Sequence, residues 1–171
     1  MVFCIDSNIF IWGIKRQSNP EETHRINEAR DFFDWADKDG HEIVIPTIVL
    51  AECLAHEPLE KRAEILKVVY ETFRVVDFDV RAALKYAEML EGDKWSAAKT
   101  LGQSIGVNRQ EMKVDFLIAA SAAAHGALRL YTHDAGLTNF ARPYMDVQPM
   151  PTILKQSQIE FDQQRGIFGN G

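Results

Sequence analysis

Val2-Phe3-Cys4-Ile5-Asp6-Ser7-Asn8-Ile9 opens the chain with four apolar residues that stop at a carboxylate. A continuous apolar run this short, without alternation, reads as a strand buried on both faces. The polar residues after it read as a helix start, with Asp6 or Ser7 as cap and a helix over Asn8–Ile14. The same unit recurs along the chain. Asn19-Pro20-Glu21-Glu22 punctuates, and an amphipathic helix follows to about Lys38, its stripe being Ile26, Ala29, Phe32, Phe33 and Ala36. Asp39-Gly40 turns the chain into a second strand, Glu42–Ile45, stopped by Pro46. Thr47 is placed to cap a helix running to about His56, and Pro58 opens another through Glu71. Arg74–Val76 is a third strand, and Asp79 caps the next helix. A small-residue helix, Val114–His125, ends at Gly126 and leads to a fourth strand, Leu128–Tyr131. A short helix follows Asp134, and Asp146–Gln148 reads as an edge strand. Strands alternating with helices imply parallel βαβ units, hence a three-layer α/β domain with a central parallel sheet and helices on both faces.

The chain has 171 residues, of which 46% are hydrophobic, enough for one domain with a real core. That domain is expected over residues 1–150, with 92–112 a polar, mixed-charge insertion and 151–171 a polar tail. The net charge is −6, so a general basic field for nucleic acid is excluded. Any polyanion must be held by local contacts or through a cation. The two cysteines, Cys4 and Cys53, lie in apolar surroundings and read as buried free thiols. The N-terminus has no basic segment ahead of a long apolar one, and no apolar run is long enough for a membrane. A soluble protein of the cytoplasm is the expectation.

Ligands of open parallel sheets bind beyond the carboxyl ends of the strands. Asp6 follows the first strand, Glu52 lies in the helix after the second, and Asp134 follows the fourth. Asp115 opens the helix that feeds the fourth strand, and periodicity alone does not bring it to the same edge. Asp6 and Asp134 also read as helix caps, and Asp115 as a first-turn acid favoured by the helix dipole. Glu52 sits among Ile48, Val49, Leu50, Ala51, Cys53 and Leu54, a helix expected to be largely buried, where a carboxylate needs a partner. Carboxylates crowded without a cation disfavour ionisation. A hard divalent ion, Mg²⁺ or Mn²⁺, reverses that balance, activates water and neutralises a phosphate oxygen.

These residues resemble the PIN-domain nucleases, of the kind found as VapC-type toxins in toxin–antitoxin pairs. Phe3-Cys4-Ile5-Asp6-Ser7-Asn8-Ile9 is similar to the family's apolar run followed by Asp-Thr/Ser-Asn, and Ile45–Glu52 to its segment carrying the Glu. Val114-Asp115-Phe116-Leu117-Ile118-Ala119-Ala120-Ser121-Ala122 resembles Asp-x-x-Ile-Ala-Ala-x-Ala, and Thr132-His133-Asp134 resembles Thr-x-Asp. The resemblance implies Asp6, Glu52, Asp115 and Asp134 as ligands of Mg²⁺ or Mn²⁺ and as the catalytic set. It implies Asn8 and Thr132, with Ser7, as hydrogen-bonding supports. It also implies RNA as substrate, a homodimer, and an antitoxin as partner. A second acid shortly after Thr-x-Asp, common in the family, is missing here, where Ala135-Gly136-Leu137-Thr138 precedes Asn139-Phe140. Lys94, Lys99, Arg109 and Lys113 read either as a solvated helical face or as phosphate contacts beside Asp115. Leu50, Leu54, Leu59, Ile65, Leu66 and Val69, on the helices at 48–54 and 59–70, read either as packing on the sheet or as a partner groove. Two rivals remain: a catalytically silent PIN-like binding module, and an α/β phosphatase with Asp6 as nucleophile. The latter ordinarily wants Asp-x-Asp, and the third position here is Asn8.

Overall fold

The computed structural model describes residues 1–91, 96, 100 and 109–153. Among these residues five short strands form one sheet: β1 Val2–Ile5, β2 Glu42–Pro46, β3 Arg74–Val76, β4 Arg129–Tyr131 and β5 Asp146–Gln148. Every pairing is parallel, in the order β3-β2-β1-β4-β5. Phe3 pairs with Ile43 on one side and Arg129 on the other, so β1 is central. Among the described residues seven α-helices surround the sheet: α1 Ser7–Phe10, α2 His24–Lys38, α3 Thr47–Leu54, α4 Leu59–Thr72, α5 Val80–Met89, α6 Arg109–Ala124 and α7 Ala135–Ala141. The expected three-layer architecture is therefore what the chain adopts.

Strand alternation assigns the layers. Phe3 and Tyr131 meet the rings of Phe32 and Trp35 from α2 on one face. Cys4 and Leu130, their neighbours in register, are fully buried and point to the opposite layer, built around α6. Both faces are thus covered, which is why the strands read as unbroken apolar runs. Both cysteines are free and buried, as expected. Among the described residues no helix is long and apolar enough to cross a membrane.

Several local expectations change. The helix expected over Asn8–Ile14 starts at Ser7 and gives way at Ile11 to a π-helical turn, Ile11–Lys15. That turn places Gly13 against Phe33, whose ring lies where a side chain would stand: an added Cβ would meet it at 2.3 Å. Thr47 is the first helical residue of α3 rather than its cap. Pro46 holds the cap position and no side chain bonds there. The helix expected from Val114 begins at Arg109, because Gln110-Glu111-Met112-Lys113 are good helix formers with nothing to stop them. Asp115 therefore lies in the second turn, beyond the reach of the helix-terminal charge. Of the apolar residues expected to form a partner groove, Leu50, Ile65 and Val69 are buried, Leu54 and Leu66 pack partly on the core, and Leu59 is exposed. The tail from 154 and most of the expected insertion, 92–108 apart from Ser96 and Thr100, lie outside the described residues.

Candidate metal centre

The strand order decides where a ligand can sit. After β1 the chain moves to β2 and β3 on one side, then crosses back to β4 on the other. The crevice between the carboxyl ends of β1 and β4 is the switch point of the sheet, where neighbouring connections diverge and leave a cleft. A cleft of ≈ 490 Å³ opens there, and its walls include Asp6, Glu52, Asp115 and Asp134. Four carboxylates from four separate segments of the sequence thus share one cavity.

Asp6 ends β1 and caps α1: its Oδ1 accepts the Ile9 N–H at 3.1 Å. Its Oδ2 accepts the Thr132 hydroxyl. Thr132 Oγ1 in turn accepts the Asp134 N–H at 2.9 Å, and Asp134 Oδ1 caps α7 through the Leu137 N–H at 2.7 Å. The side chain of Thr132 therefore ties the ends of β1 and β4 together. Capping and facing the cleft are not alternatives for Asp6 and Asp134. The cap bonds use one oxygen of each and fix its direction.

Glu52 arrives differently from the sequence expectation. Its helix is not buried all round: Val49, Leu50 and Cys53 face the core, while Ala51 and Glu52 are exposed. Its partner is the Ser7 hydroxyl, which donates to Oε2 at 2.5 Å. Ser7 is thus a tether for Glu52, and the α1 cap is Asp6. Nearby, Cys53 Sγ donates to the Ser7 carbonyl, and Lys15 Nζ donates to the Cys53 carbonyl while ion-pairing with Glu57. These bonds lock α3 to α1 and to the π-turn, and so hold Glu52 at the cleft. Asn8 lines the cleft and gives its backbone N–H to Asp6.

The electrostatics follow from burial and crowding. Burial pushes the Asp6 carboxyl up to about 6, against the lowering bonds from Thr132, Ile9 and Asn8, and the charge of Asp134 adds to the rise. Burial also raises Asp115, to about 7, helped in turn by Asp134, Glu52, Asp6 and Glu111. Glu111 was missed from sequence. It lies one turn before Asp115 on α6 and lines the same cleft, and the i,i+4 spacing becomes legible once the helix is extended back to Arg109.

Of the four basic residues read as phosphate contacts, only the side chain of Lys113 is among those described. Lys113 is exposed and is not among the lining residues. Lys94, Lys99 and the side chain of Arg109 lie outside the described residues. Asn139 is exposed on α7. His133 points away, as its place between Thr132 and Asp134 predicts, with Nε2 accepting the Met150 N–H and its ring against Trp12.

The donor set suits a hard cation. Every charged group on the wall is an oxygen ligand of one sign, and the carboxyl pKa values of Asp6 and Asp115 are raised, first by burial and then by neighbouring carboxylates. Among the described residues no three His, Cys, Asp or Glu side chains are grouped so as to hold a metal ion by themselves. Mg²⁺ asks for none: it keeps several waters and is held through one or two carboxylates and the substrate phosphate.

A family model for the PIN domain matches residues 3–143. Among solved structures, VapBC2 from Rickettsia felis, bound to a DNA fragment from their promoter, superposes with a TM-score of 0.60 at 19% identity, covering 88% of this chain and 100% of that one. VapBC-1 from nontypeable Haemophilus influenzae superposes with a TM-score of 0.56 at 17% identity, covering 88% and 98%. No curated protein matches the sequence.

Proposed function

The chain belongs to the PIN domain family, and from that premise we propose that its acidic cleft is the centre of a divalent-metal-dependent endoribonuclease. The observation that carries the reading is the meeting of Asp6, Glu52, Asp115 and Asp134, from four separate segments, at the switch point of the sheet. Asp6 and Asp115, whose carboxyl pKa values burial raises, are the principal ligands of Mg²⁺ or Mn²⁺. Glu52 and Asp134 complete the site or hold its waters. When bound, the ion supplies positive charge for the phosphate and acidity for the attacking water.

The residues of the chain do the positioning. Ile9 N–H and the Thr132 hydroxyl occupy one oxygen lobe each of Asp6 and leave it little rotational freedom. Thr132 also sets the backbone of Asp134, and Ser7 sets Glu52. Such pre-orientation supports in-line attack, because the ligands need not reorganise as charge develops. Asn8, where the phosphatase reading wants a second Asp, argues against that reading.

The two VapBC superpositions favour the toxin of a toxin–antitoxin pair, acting as a homodimer with an antitoxin partner. The test is cleavage of single-stranded RNA with Mn²⁺, Mg²⁺ or chelator, beside a small phosphate ester. RNA cleavage that needs metal and is lost in Asp6→Asn and Asp115→Asn is expected. Hydrolysis of the ester alone, or full activity in either variant, would overturn the assignment.

A further inference from the structure

Arg16 is, among the described residues, the one non-glycine residue with a positive φ, +53°. It ends the π-helical turn in the left-handed conformation, and its N–H bonds the Ile11 carbonyl. That cap bond belongs to the backbone, so glycine would make it without the steric cost of a side chain. The arginine side chain is not needed for the turn. It is exposed, and among the described residues no carboxylate pairs with it. It lies where two shallow clefts of ≈ 400 and ≈ 410 Å³ meet, sharing Gly13, Arg16 and Phe33. Arg30 lines the first, reaching Asp31 at 3.5 Å with its side chain 57% exposed. Asp34 and the Lys61–Glu64 pair complete the walls. Phe33, half-buried, forms the shared floor against Gly13.

Resting on the nuclease reading above, we propose that this paired cleft is a second RNA subsite, which anchors the single strand beyond the scissile phosphate. Two guanidinium groups and an aromatic ring lining one paired cleft match the alternation of phosphate and base along an unpaired strand. An acidic chain has no general field to hold RNA, so local cations must do it, and a guanidinium left without a carboxylate is available for phosphate. The subsite is also joined to the catalytic cleft by one rigid piece. Ser7 lines the acids and Arg16 lines the groove, nine helical residues apart, on the order of 13 Å. Strain retained at an exposed position is accounted for by a binding role that glycine could not fill.

The experiment is Arg16→Gly in the full chain, with Arg30→Gln beside it. Binding of a single-stranded RNA in chelator is read by anisotropy across a salt series, together with Mn²⁺-dependent kinetics and thermal melting. For Arg16→Gly the RNA Kd rises roughly fivefold or more, and the salt slope flattens by about 0.7. The KM rises with kcat unchanged, and the Tm increases by about 2–4 °C as the strain goes. A purely structural arginine would not couple higher stability to weaker binding. Unchanged Kd and salt slope, in a protein whose parent cleaves RNA, would refute the subsite and leave the nuclease reading intact. A parent that cleaves no RNA would overturn both. Unaltered RNA binding with weakened binding of a poly-glutamate peptide would assign the groove to a protein partner instead. A lower Tm would remove the strain argument.

Discussion

Replacing Asp115 by Asn removes a carboxyl whose pKa folding lifts from 3.8 to about 7, first by burial and then by the charges of Asp134, Glu52, Asp6 and Glu111. A group raised in this way binds its proton more tightly in the native state than in the unfolded chain. Native stability therefore falls as pH rises, from no penalty below about 3.8 to the full penalty above about 7. The rise corresponds to roughly 4 kcal/mol at about 1.36 kcal/mol per pKa unit. Water in the open cleft and the desolvation of the new amide both reduce the gain that Asn brings. A net gain of about 1–2 kcal/mol, or roughly 2–8 °C for a domain of this size, is expected. The assay is thermal unfolding by circular dichroism in chelator, parent against Asp115→Asn, at pH 8 and near pH 4.5. The variant should melt higher at pH 8, and the difference should shrink towards zero at the lower pH. Saturating Mn²⁺ should reverse the order, because only the parent keeps the full ligand set. A difference independent of pH, or a variant that melts lower at pH 8, would refute the crowding argument.

Saturating Mg²⁺ or Mn²⁺ should stabilise the parent by about 2.7 kcal/mol at a hundredfold excess over Kd, a rise of roughly 5–10 °C that a melting curve resolves. An unmoved Tm together with undiminished cleavage in chelator would rule out the centre. Thr132→Val deletes the hydroxyl shared by Asp6 and the Asp134 N–H. It should cost about 1–3 kcal/mol and lower kcat while RNA binding in chelator stays put, and retention of full kcat would count against the positioning role. Lys15→Met leaves Glu57, whose side chain is 11% exposed, without its cation. A loss of about 3–5 kcal/mol is expected in chemical denaturation. Lys15→Met combined with Glu57→Leu should recover most of it, whereas a double variant no better than the single would show that the pair acts independently.

How far the site was legible depends on what each residue needed. Asp6 and Asp134 were readable because each ends an apolar strand run, and a carboxylate there either caps a helix or faces the cleft. In the fold they do both, since capping uses one oxygen and orients the other. Asp115 was readable only by resemblance. Its place depends on α6 beginning at Arg109, five residues before the expected start, and the polar stretch there carried no stop signal that would separate helix from insertion. Glu52 was identified for a reason that the fold removes. Its helix presents an exposed edge to the cleft, and its partner is Ser7, 45 residues away. No local pattern announces such a bond. Strand order was equally hidden, because βαβ alternation permits several orders and only tertiary packing selects β3-β2-β1-β4-β5.

That order gives the acids their common purpose. With β1 between β2 and β4, connections leave its end in opposite directions, and a cleft opens between them. Carboxylates gathered there repel one another, and packing alone would select against them. The bonds around them nevertheless hold the arrangement in place: Ile9 and Thr132 on Asp6, Leu137 on Asp134, Ser7 on Glu52, and the Lys15–Glu57 pair behind α3. Hydrogen bonds that fix an unfavourable cluster of one sign are accounted for when a charge of the other sign completes it. The same logic separates Arg16 from the other exposed cations. Its backbone strain and its guanidinium, unpaired among the described residues, are both left without a structural reason, and an anionic strand leading away from the cleft supplies one.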